Sequence, residues 1–292
     1  MAETVLITGS TAGIGRVAAL YLAARGYHVI ATGRRAELLA ALKSEAGTGA
    51  KLDTVVLDVT STASVEAAVT AVDGLTQGRG VDHLVNNAGY GLIAPAAEVT
   101  DEDLRAQFET NVFGLMSVTR AFLPKMLSRG KGRVLNVSSV GGRVTFPFFG
   151  AYNATKYAVE SLSDALRVEL RALGVDVVLI EPGPIRTEFA ERGLKTLSRY
   201  RRDDSPWAAT MQKAEEIQAQ TDAMSAGPEV IARAIHRAVS ARRPAARYVA
   251  PFSSRVMLWA VENLPTRLID WTIAMAFRAS AKRGPALAAA AS

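Results

Sequence analysis

Short apolar segments alternate along the chain with longer segments in which apolar residues recur at helical spacing. The short segments have the length and the β-branched content of buried strands. There are seven of them before residue 251: Thr4–Thr8, Tyr27–Thr32, Thr54–Asp58, His83–Asn86, Arg133–Val137, Val175–Ile180 and Arg247–Ala250. Strands that alternate with crossover helices pair in parallel, so the pattern predicts a doubly wound α/β fold with a seven-stranded parallel sheet and helices on both faces.

The same pattern divides the chain into three parts. Residues 1–251 are predicted to form one domain, with an insertion at about 185–226 that has no strand pattern and is interpreted as a lid. A helix is predicted to start within this insertion at Ser205-Pro206-Trp207. Residues 252–280 form a helical extension, Arg255–Asn263 and Thr266–Ala279, interrupted by Pro265, and residues 281–292 are predicted to be a disordered tail.

Composition excludes several classes of protein. With 49% hydrophobic and 21% charged residues, the chain has the balance of a folded globular protein. The absence of cysteine excludes disulfides, thiolate catalysis and zinc–thiolate or iron–sulfur sites, and no metal site is predicted. No stretch reaches the roughly 20 apolar residues of a membrane span and the N-terminus lacks a signal-peptide pattern, so a cytoplasmic location is expected.

The net charge of +6 is confined to the C-terminal part of the chain. Residues 227–292 hold ten Lys and Arg against three Asp and Glu, whereas the preceding residues are nearly neutral. No recognition motif and no base-stacking aromatic pattern accompanies these cations, so nucleic-acid binding is not expected. The extension combines them with Trp259 and Trp271, which raises two alternatives: a cover for a substrate pocket, or a peripheral contact with a membrane surface.

A glycine-rich motif, Thr8-Gly9-Ser10-Thr11-Ala12-Gly13-Ile14-Gly15, directly follows the first predicted strand and leads into a helix. Glycines let the backbone approach a pyrophosphate, and the first turn of a helix offers it free N–H groups. A purely structural turn is the alternative. The position between a strand and a helix favours nucleotide binding.

With this G-x-x-x-G-x-G spacing, the chain resembles the short-chain dehydrogenases/reductases over roughly residues 4–250, and in particular the 17β-hydroxysteroid and retinol dehydrogenases. The resemblance implies a Rossmann fold of the simple, non-extended branch. It implies cofactor contacts from three further segments besides the glycine motif. These are Asp58 and Val59, then Asn87, Ala88 and Gly89, and finally Pro182, Gly183, Ile185 and Thr187 of the P-G-x-x-x-T segment.

Candidate catalytic chemistry lies in Tyr152-Asn153-Ala154-Thr155-Lys156. Residues i and i+4 share a helix face, so Lys156 is placed beside the Tyr152 phenol, where its charge and that of an oxidised nicotinamide favour phenolate. The resemblance implies that Tyr152 is the general acid/base, that Ser139 rather than its neighbour Ser138 polarises the substrate oxygen, and that Lys156 also binds the nicotinamide ribose. Asn111 is similarly implied to anchor a water chain that leads to Lys156.

Cofactor preference depends on the end of the second strand, Thr32-Gly33-Arg34-Arg35. An acidic residue here would accept hydrogen bonds from the ribose of NAD and repel a phosphate. Arg34 and Arg35 stand there instead, with Arg16 as a further candidate, so NADP(H) is predicted over NAD(H). The alternative is that both arginines are only the solvated start of a helix.

Three aromatic residues between Ser139 and Tyr152, namely Phe146, Phe148 and Phe149, are predicted to line a pocket for a bulky lipophilic substrate. The predicted function is an NADP(H)-dependent oxidoreductase that interconverts a secondary alcohol and a ketone, or an aldehyde, on a steroid, retinoid or aromatic ketone. The alternatives are a 3-oxoacyl thioester reductase and a non-catalytic NADP-binding regulator. The resemblance also implies a homodimer or homotetramer.

Overall fold

Seven parallel strands form the centre of the structure, in the order β3-β2-β1-β4-β5-β6-β7. The computed structural model describes residues 2–202 and 205–277. The strands are β1 Thr4–Ile7, β2 His28–Gly33, β3 Leu52–Val56, β4 His83–Asn86, β5 Gly132–Val137, β6 Val175–Pro182 and β7 Arg247–Ala250. Every predicted strand is present with its ends displaced by two residues or fewer, and the predicted fold class is confirmed.

Eleven helices surround the sheet within the described residues. They are α1 Gly13–Ala23, α2 Ala36–Ala46, α3 Thr62–Leu75, α4 Asp101–Phe108, α5 Leu115–Arg129, α6 Gly150–Arg171, α7 Glu188–Arg199, α8 Ala208–Met224, α9 Glu229–Ser240, α10 Phe252–Asn263 and α11 Thr266–Phe277. Side chains of β1 point alternately to the two faces: Val5 and Ile7 pack with α1, α2 and α9, whereas Leu6 packs with α3, α5 and α6. The sheet is therefore buried on both faces.

Apolar residues recur at helical spacing from Leu104 to Met126, but this segment is not one continuous α-helix. A π-helical turn, Glu109–Gly114, separates α4 from α5. A π turn adds a residue to the helical repeat, which apolar periodicity does not reveal. The turn buries Asn111, one of the predicted site residues.

The segment predicted as a lid contains α7 and α8. Its two ends meet at an isolated parallel bridge between Ile185 and Ala226, where the Arg186 N–H donates to the Ala226 carbonyl at 2.9 Å. The second helix begins at Ala208 rather than at Ser205, because the Ser205 hydroxyl accepts from the backbone N–H of Trp207 and holds a tight turn there.

The C-terminal helices α10 and α11 lie beside the carboxyl edge of the sheet. Leu258 of α10 packs against Val140 and Val144, and Phe277 of α11 lies 6.2 Å from Phe148, measured between ring centroids. The predicted end of the second helix at Ala279 and the predicted tail fall outside the described residues. Among the residues that the structure describes, no helix is long and apolar enough to cross a membrane.

Candidate active site

The loops after β1 and β4 are joined by hydrogen bonds at the point where the strand order reverses. The Thr8 hydroxyl accepts from the backbone N–H groups of Asn87 and Ala88, each at 2.9 Å. The Asn87 side-chain amide donates to the carbonyls of Thr8 at 2.9 Å and Gly9 at 3.2 Å. In doubly wound sheets this crevice is where ligands bind. Two predicted cofactor segments therefore form one rigid surface.

Glycine is required in the loop after β1 by close packing. Gly9 has a positive φ of 69°, and a Cβ there would lie 2.9 Å from the Cα of Ala88. A Cβ on Gly15 would overlap the Asn87 amide and the Gly9 carbonyl. Ala12, which precedes α1, provides no side-chain cap for the first helical turn. Uncapped N–H groups beside closely packed glycines fit the phosphates of a dinucleotide.

The neighbouring motif residues support this loop. The buried Ser10 hydroxyl donates to the Ile7 carbonyl at 2.8 Å, and Ile14 packs against the apolar core. Thr11 lies against Gly33 at the end of β2, where a Cβ would come within 2.7 Å of the Thr11 methyl group. The phosphate loop and the end of β2 consequently adjoin.

At the predicted adenine end, Asp58 accepts from the Thr60 N–H at 3.0 Å and from its hydroxyl at 2.7 Å. Burial acts to raise the pKa of Asp58, but the Thr60 hydrogen bonds and the charge of Arg34 hold it below its usual value. Arg34 and Arg35 are both exposed, whereas Arg16 is paired with Glu45 of α2. Arg34 is thus the cation that lies near Asp58 at this end of the cleft.

The loop after β6 closes the other end of the cleft. The Gly183 N–H donates to the Ala250 carbonyl at 2.8 Å, and Thr187 lies against Gly13, where a Cβ would come within 3.4 Å of the Thr187 side chain. A cavity of about 600 Å³ lies here between α1 and α7, lined among others by Gly13, Arg186 and Thr187. The P-G-x-x-x-T segment therefore faces the glycine loop across this space.

Three of the predicted catalytic residues meet at the carboxyl ends of β5 and β6. Ser139 follows β5, and its hydroxyl oxygen accepts from the Gly141 N–H at 3.0 Å and lies near the Tyr152 phenol, whose pKa it lowers. The Lys156 ammonium donates to the Val137 carbonyl at 2.8 Å and lies 5.7 Å from the centre of the Tyr152 ring. The separation of thirteen residues thus brings the Ser139 hydroxyl close to the Tyr152 phenol.

Burial dominates the protonation of this pair. It raises the pKa of Tyr152 to about 12, against the lowering effect of the Ser139 hydrogen bond. It lowers the pKa of Lys156 to about 8, against the raising effect of Glu160. The expected lowering of the phenol pKa by Lys156 is therefore not produced by the protein groups alone, because desolvation outweighs the attraction between ammonium and phenolate.

Asn111 binds the loop after β4 rather than Ser139, Tyr152 or Lys156. Its side-chain oxygen accepts from the Tyr90 N–H at 3.1 Å, and its amide donates to the Tyr90 carbonyl at 3.0 Å and to the Thr155 hydroxyl at 3.1 Å. Gln107, four residues earlier, binds the same loop through the Leu92 N–H and the Tyr90 carbonyl. Sequence reasoning missed Gln107, although its spacing from Asn111 was a usable signal.

The three predicted substrate aromatics do not form one wall. Phe148 packs in a small apolar cluster with Leu197 of α7 and Met211 of α8, and Phe149 lies at the margin of that cluster. Phe146 instead packs towards Leu258 of α10. Phe148 occupies a left-handed backbone conformation, with φ of 68°, and this turn separates its direction from that of its neighbours.

Phe189 of α7 was not predicted as a site residue. Its ring packs edge-on against the ring of Tyr152, with 5.2 Å between the centroids. It also fills the space beside Gly91, where any Cβ would overlap it. In the sequence, its position two residues after the P-G-x-x-x-T segment is the one feature that could have indicated this role.

A doubly wound parallel sheet with a glycine-rich loop at its switch point and a serine–tyrosine–lysine group beside it is the arrangement of a dinucleotide-dependent oxidoreductase. The short chain dehydrogenase family pattern matches residues 3–198. The chain is 36% identical over 270 residues to the uncharacterized oxidoreductase YbbO of Escherichia coli K12, covering 92% of this chain and 93% of that one. It belongs to the short-chain dehydrogenase family, whose members bind a nicotinamide cofactor.

Two further comparisons extend this assignment. Human retinol dehydrogenase 16 is 36% identical over 281 residues, covering 91% of this chain and 86% of that protein. The closed form of serine dehydrogenase, solved as a complex with NADP+, superimposes with a TM-score of 0.74 at 31% identity, covering 86% of this chain and 96% of that one. The similarity therefore includes the region after residue 198.

Replacing Lys156 by methionine is expected to stabilise the protein at neutral pH. Burial holds the pKa of Lys156 near 8, below its ordinary value of 10.5, so the unfolded chain binds the proton more strongly than the folded protein. This difference lowers the free energy of unfolding by about 3 kcal/mol below pH 8, and the penalty disappears as the pH rises towards 10.5.

Urea unfolding of Lys156→Met and the parent at pH 7 and pH 10 measures this effect. We expect the variant to be more stable at pH 7, with the difference shrinking at pH 10. Lys51→Met, at an exposed lysine, is the matched control and should change stability little at either pH. An equal gain in stability at both pH values would contradict the lowered pKa of Lys156 in the folded protein.

Proposed function

We propose that this protein is an NADP(H)-dependent oxidoreductase that interconverts secondary alcohols with ketones, or aldehydes with primary alcohols, on bulky lipophilic substrates. The observation that carries the proposal is the position of the buried Tyr152 and Lys156 side chains, with the partly buried Ser139 hydroxyl near the Tyr152 phenol, next to the glycine loop. A regulator that only binds the cofactor has no use for two hydroxyl groups placed together beside an ammonium. A 3-oxoacyl thioester reductase would use the same trio and differs only in substrate.

The chain's residues would hold the cofactor along the carboxyl edge of the sheet. The N–H groups of the loop at Gly13–Gly15 would bind the pyrophosphate, Asp58 and Val59 would flank the adenine, and Lys156 would bind the nicotinamide ribose hydroxyls. Arg34 would pair with a 2′-phosphate. No acidic residue ends β2 to repel that phosphate, and the similar serine dehydrogenase was solved with NADP+.

Tyr152 would exchange a proton with the substrate oxygen, and the Ser139 hydroxyl would donate a hydrogen bond to that oxygen as its negative charge grows. The bound nicotinamide supplies or accepts the hydride. Because burial keeps the phenol protonated, Tyr152 is ready to act as the acid in carbonyl reduction. In the reverse direction the positive charges of Lys156 and of the oxidised nicotinamide must lower its pKa.

An apolar cluster next to Tyr152 supports a lipophilic substrate. Phe189 packs against the tyrosine ring, and the cluster around Phe148 joins the loop after β4 to α8 and to α7, the helix that carries Phe189. Apolar walls with few polar groups are typical of pockets for bulky hydrophobic molecules. The similarity to retinol dehydrogenase 16 agrees with this class of substrate.

Tyr152→Phe is expected to abolish turnover while NADPH binding stays nearly unchanged, because only the proton-transferring hydroxyl is removed. The loss of general acid–base catalysis should reduce kcat by at least ~10²-fold. Turnover of steroids, retinoids, aromatic ketones and 3-oxoacyl thioesters with NADPH is the measurement, and it also identifies the substrate class. Tyr157→Phe, at an exposed tyrosine of the same helix, is the matched control. Parent-like turnover in Tyr152→Phe would refute the catalytic role.

Arg34→Ala is expected to weaken NADPH binding by roughly ten- to a hundredfold, because a charge-assisted hydrogen bond to phosphate is lost. NADH binding should change little. Titration of both cofactors by fluorescence measures the two dissociation constants, with Arg25→Ala, whose guanidinium stacks on Tyr21, as the control. Equal affinity of the parent for NADPH and NADH would overturn the proposed preference.

We propose that the protein forms a homodimer or homotetramer through α5, α6 and the adjoining π turn. Large apolar side chains are exposed there, among them Phe113, Tyr157 and Val168. Light scattering should give a particle of at least twice 31.0 kDa at micromolar concentration. Val168→Glu should shift it towards the monomer, whereas Leu75→Glu on α3 should not. A monomeric parent would contradict the proposal.

We further propose that the protein is cytoplasmic and that the outer faces of α10 and α11 make a peripheral contact with anionic lipid. Trp259 and Trp271 are more than half exposed there, with Arg255 and Arg267 nearby in the chain. Flotation with anionic vesicles at low salt should recover the parent, and replacing both tryptophans by alanine should reduce binding about tenfold or more. Trp207→Ala is the control. Absence of the parent from the vesicle fraction would exclude this contact and leave the pocket cover as the role of the extension.

A further inference from the structure

A group of charged side chains begins one helical turn beyond Lys156, at the buried Glu160. Tyr152, Lys156 and Glu160 follow one another at intervals of four residues, so they share one face of α6. The side chains of both Lys156 and Glu160 are buried. Glu160 belongs to a set that we call the ion cluster, formed by Arg143, Glu160, Asp164, Arg167, Glu181, Arg247 and Glu262, of which Glu160 and Glu181 are buried.

Arg247 of β7 connects the carboxylates of the cluster. Its guanidinium nitrogens lie 3.1 Å from a Glu160 oxygen, 2.6 Å from Asp164 and 3.0 Å from Glu181. Arg143 lies 2.8 Å from the fully buried Glu181 and is also paired with Glu262 of α10. The cluster thus links the helix that carries the proposed catalytic pair to β6, β7 and the C-terminal extension.

The charges of the cluster do not cancel by themselves. The cluster holds four carboxylates and three guanidinium groups, one of which, that of Arg167, pairs with Asp164 at 3.0 Å. The sum of their formal charges is −1 when all are ionised. Glu160 and Glu181 are the buried members, and solvent screens the partly exposed ones. Of the cluster carboxylates, Glu160 therefore acts most directly on Lys156 and favours its protonated form.

The groups around Glu160 come from several elements. Gly142 lets α6 approach the turn after β5, because a Cβ there would lie 2.9 Å from both the Ser138 hydroxyl and the Glu160 side chain. Burial and the charge of Glu181 raise the pKa of Glu160, whereas Ser138 and Arg247 lower it. The Glu160 charge in turn raises the pKa of Lys156. Arg247 consequently supports the anionic form of Glu160.

We propose that Glu160 is a positioning residue for the reaction: its carboxylate, held by Arg247, keeps the Lys156 ammonium charged beside Tyr152. The proposal rests on the proposed oxidoreductase function, because only there does Lys156 act on the phenol and on the ribose. Its location one helical turn beyond the lysine, linked to β6, β7 and α10 through two arginines, gives it this role.

A double-mutant cycle tests the electrostatic part without requiring turnover. Urea midpoints are measured for the parent, Glu160→Gln, Lys156→Met and the double variant at pH 7 and pH 10. We expect the two changes to be non-additive at pH 7, where carboxylate and ammonium interact, and close to additive at pH 10, where Lys156 is neutral. Asp164→Asn combined with Lys156→Met is the matched control, because Asp164 lies one turn farther away, and it should be additive at both pH values.

The pH profile of kcat/KM tests the catalytic part. Removing a negative charge favours deprotonation of the coupled Tyr152 and Lys156, so Glu160→Gln should move the apparent pKa of the profile down by about one pH unit. In Glu160→Asp, which keeps the carboxylate, the apparent pKa should return close to the parent value, and Asp164→Asn should leave the profile unchanged. In all three variants KM for NADPH should stay within about twofold of the parent value.

The two experiments separate the possible failures. An additive cycle at pH 7, or a pH profile unchanged in Glu160→Gln, overturns the role of Glu160 even if the parent is an active oxidoreductase. If the parent turns over no carbonyl or alcohol substrate, the proposed function fails and the catalytic role of Glu160 falls with it. A pH-dependent, non-additive cycle would then show only that the two charges are coupled.

Discussion

The structure of the site depends on the hydrogen bonds that tie the loop after β1 to the loop after β4. Parallel strands end at the same edge, but their loops are free to separate unless something joins them. Thr8 and Asn87 join them through backbone and side-chain groups at once. This junction fixes the phosphate loop, and the neighbouring Tyr90 is held in turn by Asn111 and Gln107. Cofactor and substrate sides of the cleft therefore share one support.

The second governing effect is burial of the proposed acid–base pair. A phenol and an ammonium in an apolar environment each tend towards their neutral forms, and the structure moves both pKa values in that direction. Two kinds of charge oppose this tendency. The protein supplies Glu160 behind the lysine, and the cofactor would bring a positive ring in front of it. The chemistry of the site is set by the competition between these terms.

Periodicity was enough to predict the sheet, because strands buried on both faces have a nearly unbroken apolar sequence with turn residues at either end. That Ser139, Tyr152 and Lys156 lie together was also predictable, since the spacing of Tyr152 and Lys156 is local and the separation of Ser139 from Tyr152 resembles that of the family's serine. The contacts of α7 could not be predicted, because Phe189 belongs to the insertion, whose sequence does not indicate how it packs on the sheet. The π turn escaped prediction since apolar residues continue across it. The ion cluster joins residues more than a hundred positions apart, so no local pattern reveals it.

The π turn between α4 and α5 also constrains the length of the chain. An α-helix rotates about 100° per residue, so the direction of every side chain before the turn depends on the number of residues within it. Losing one residue from Glu109–Gly114 would turn the face that carries Gln107 away from the loop after β4, even though Asn111 could keep its own place. A surface loop can accommodate such a deletion, but here the number of residues in the turn sets the direction of the helix face before it. Insertions and deletions should therefore be tolerated far less at this position than substitutions of its exposed side chains.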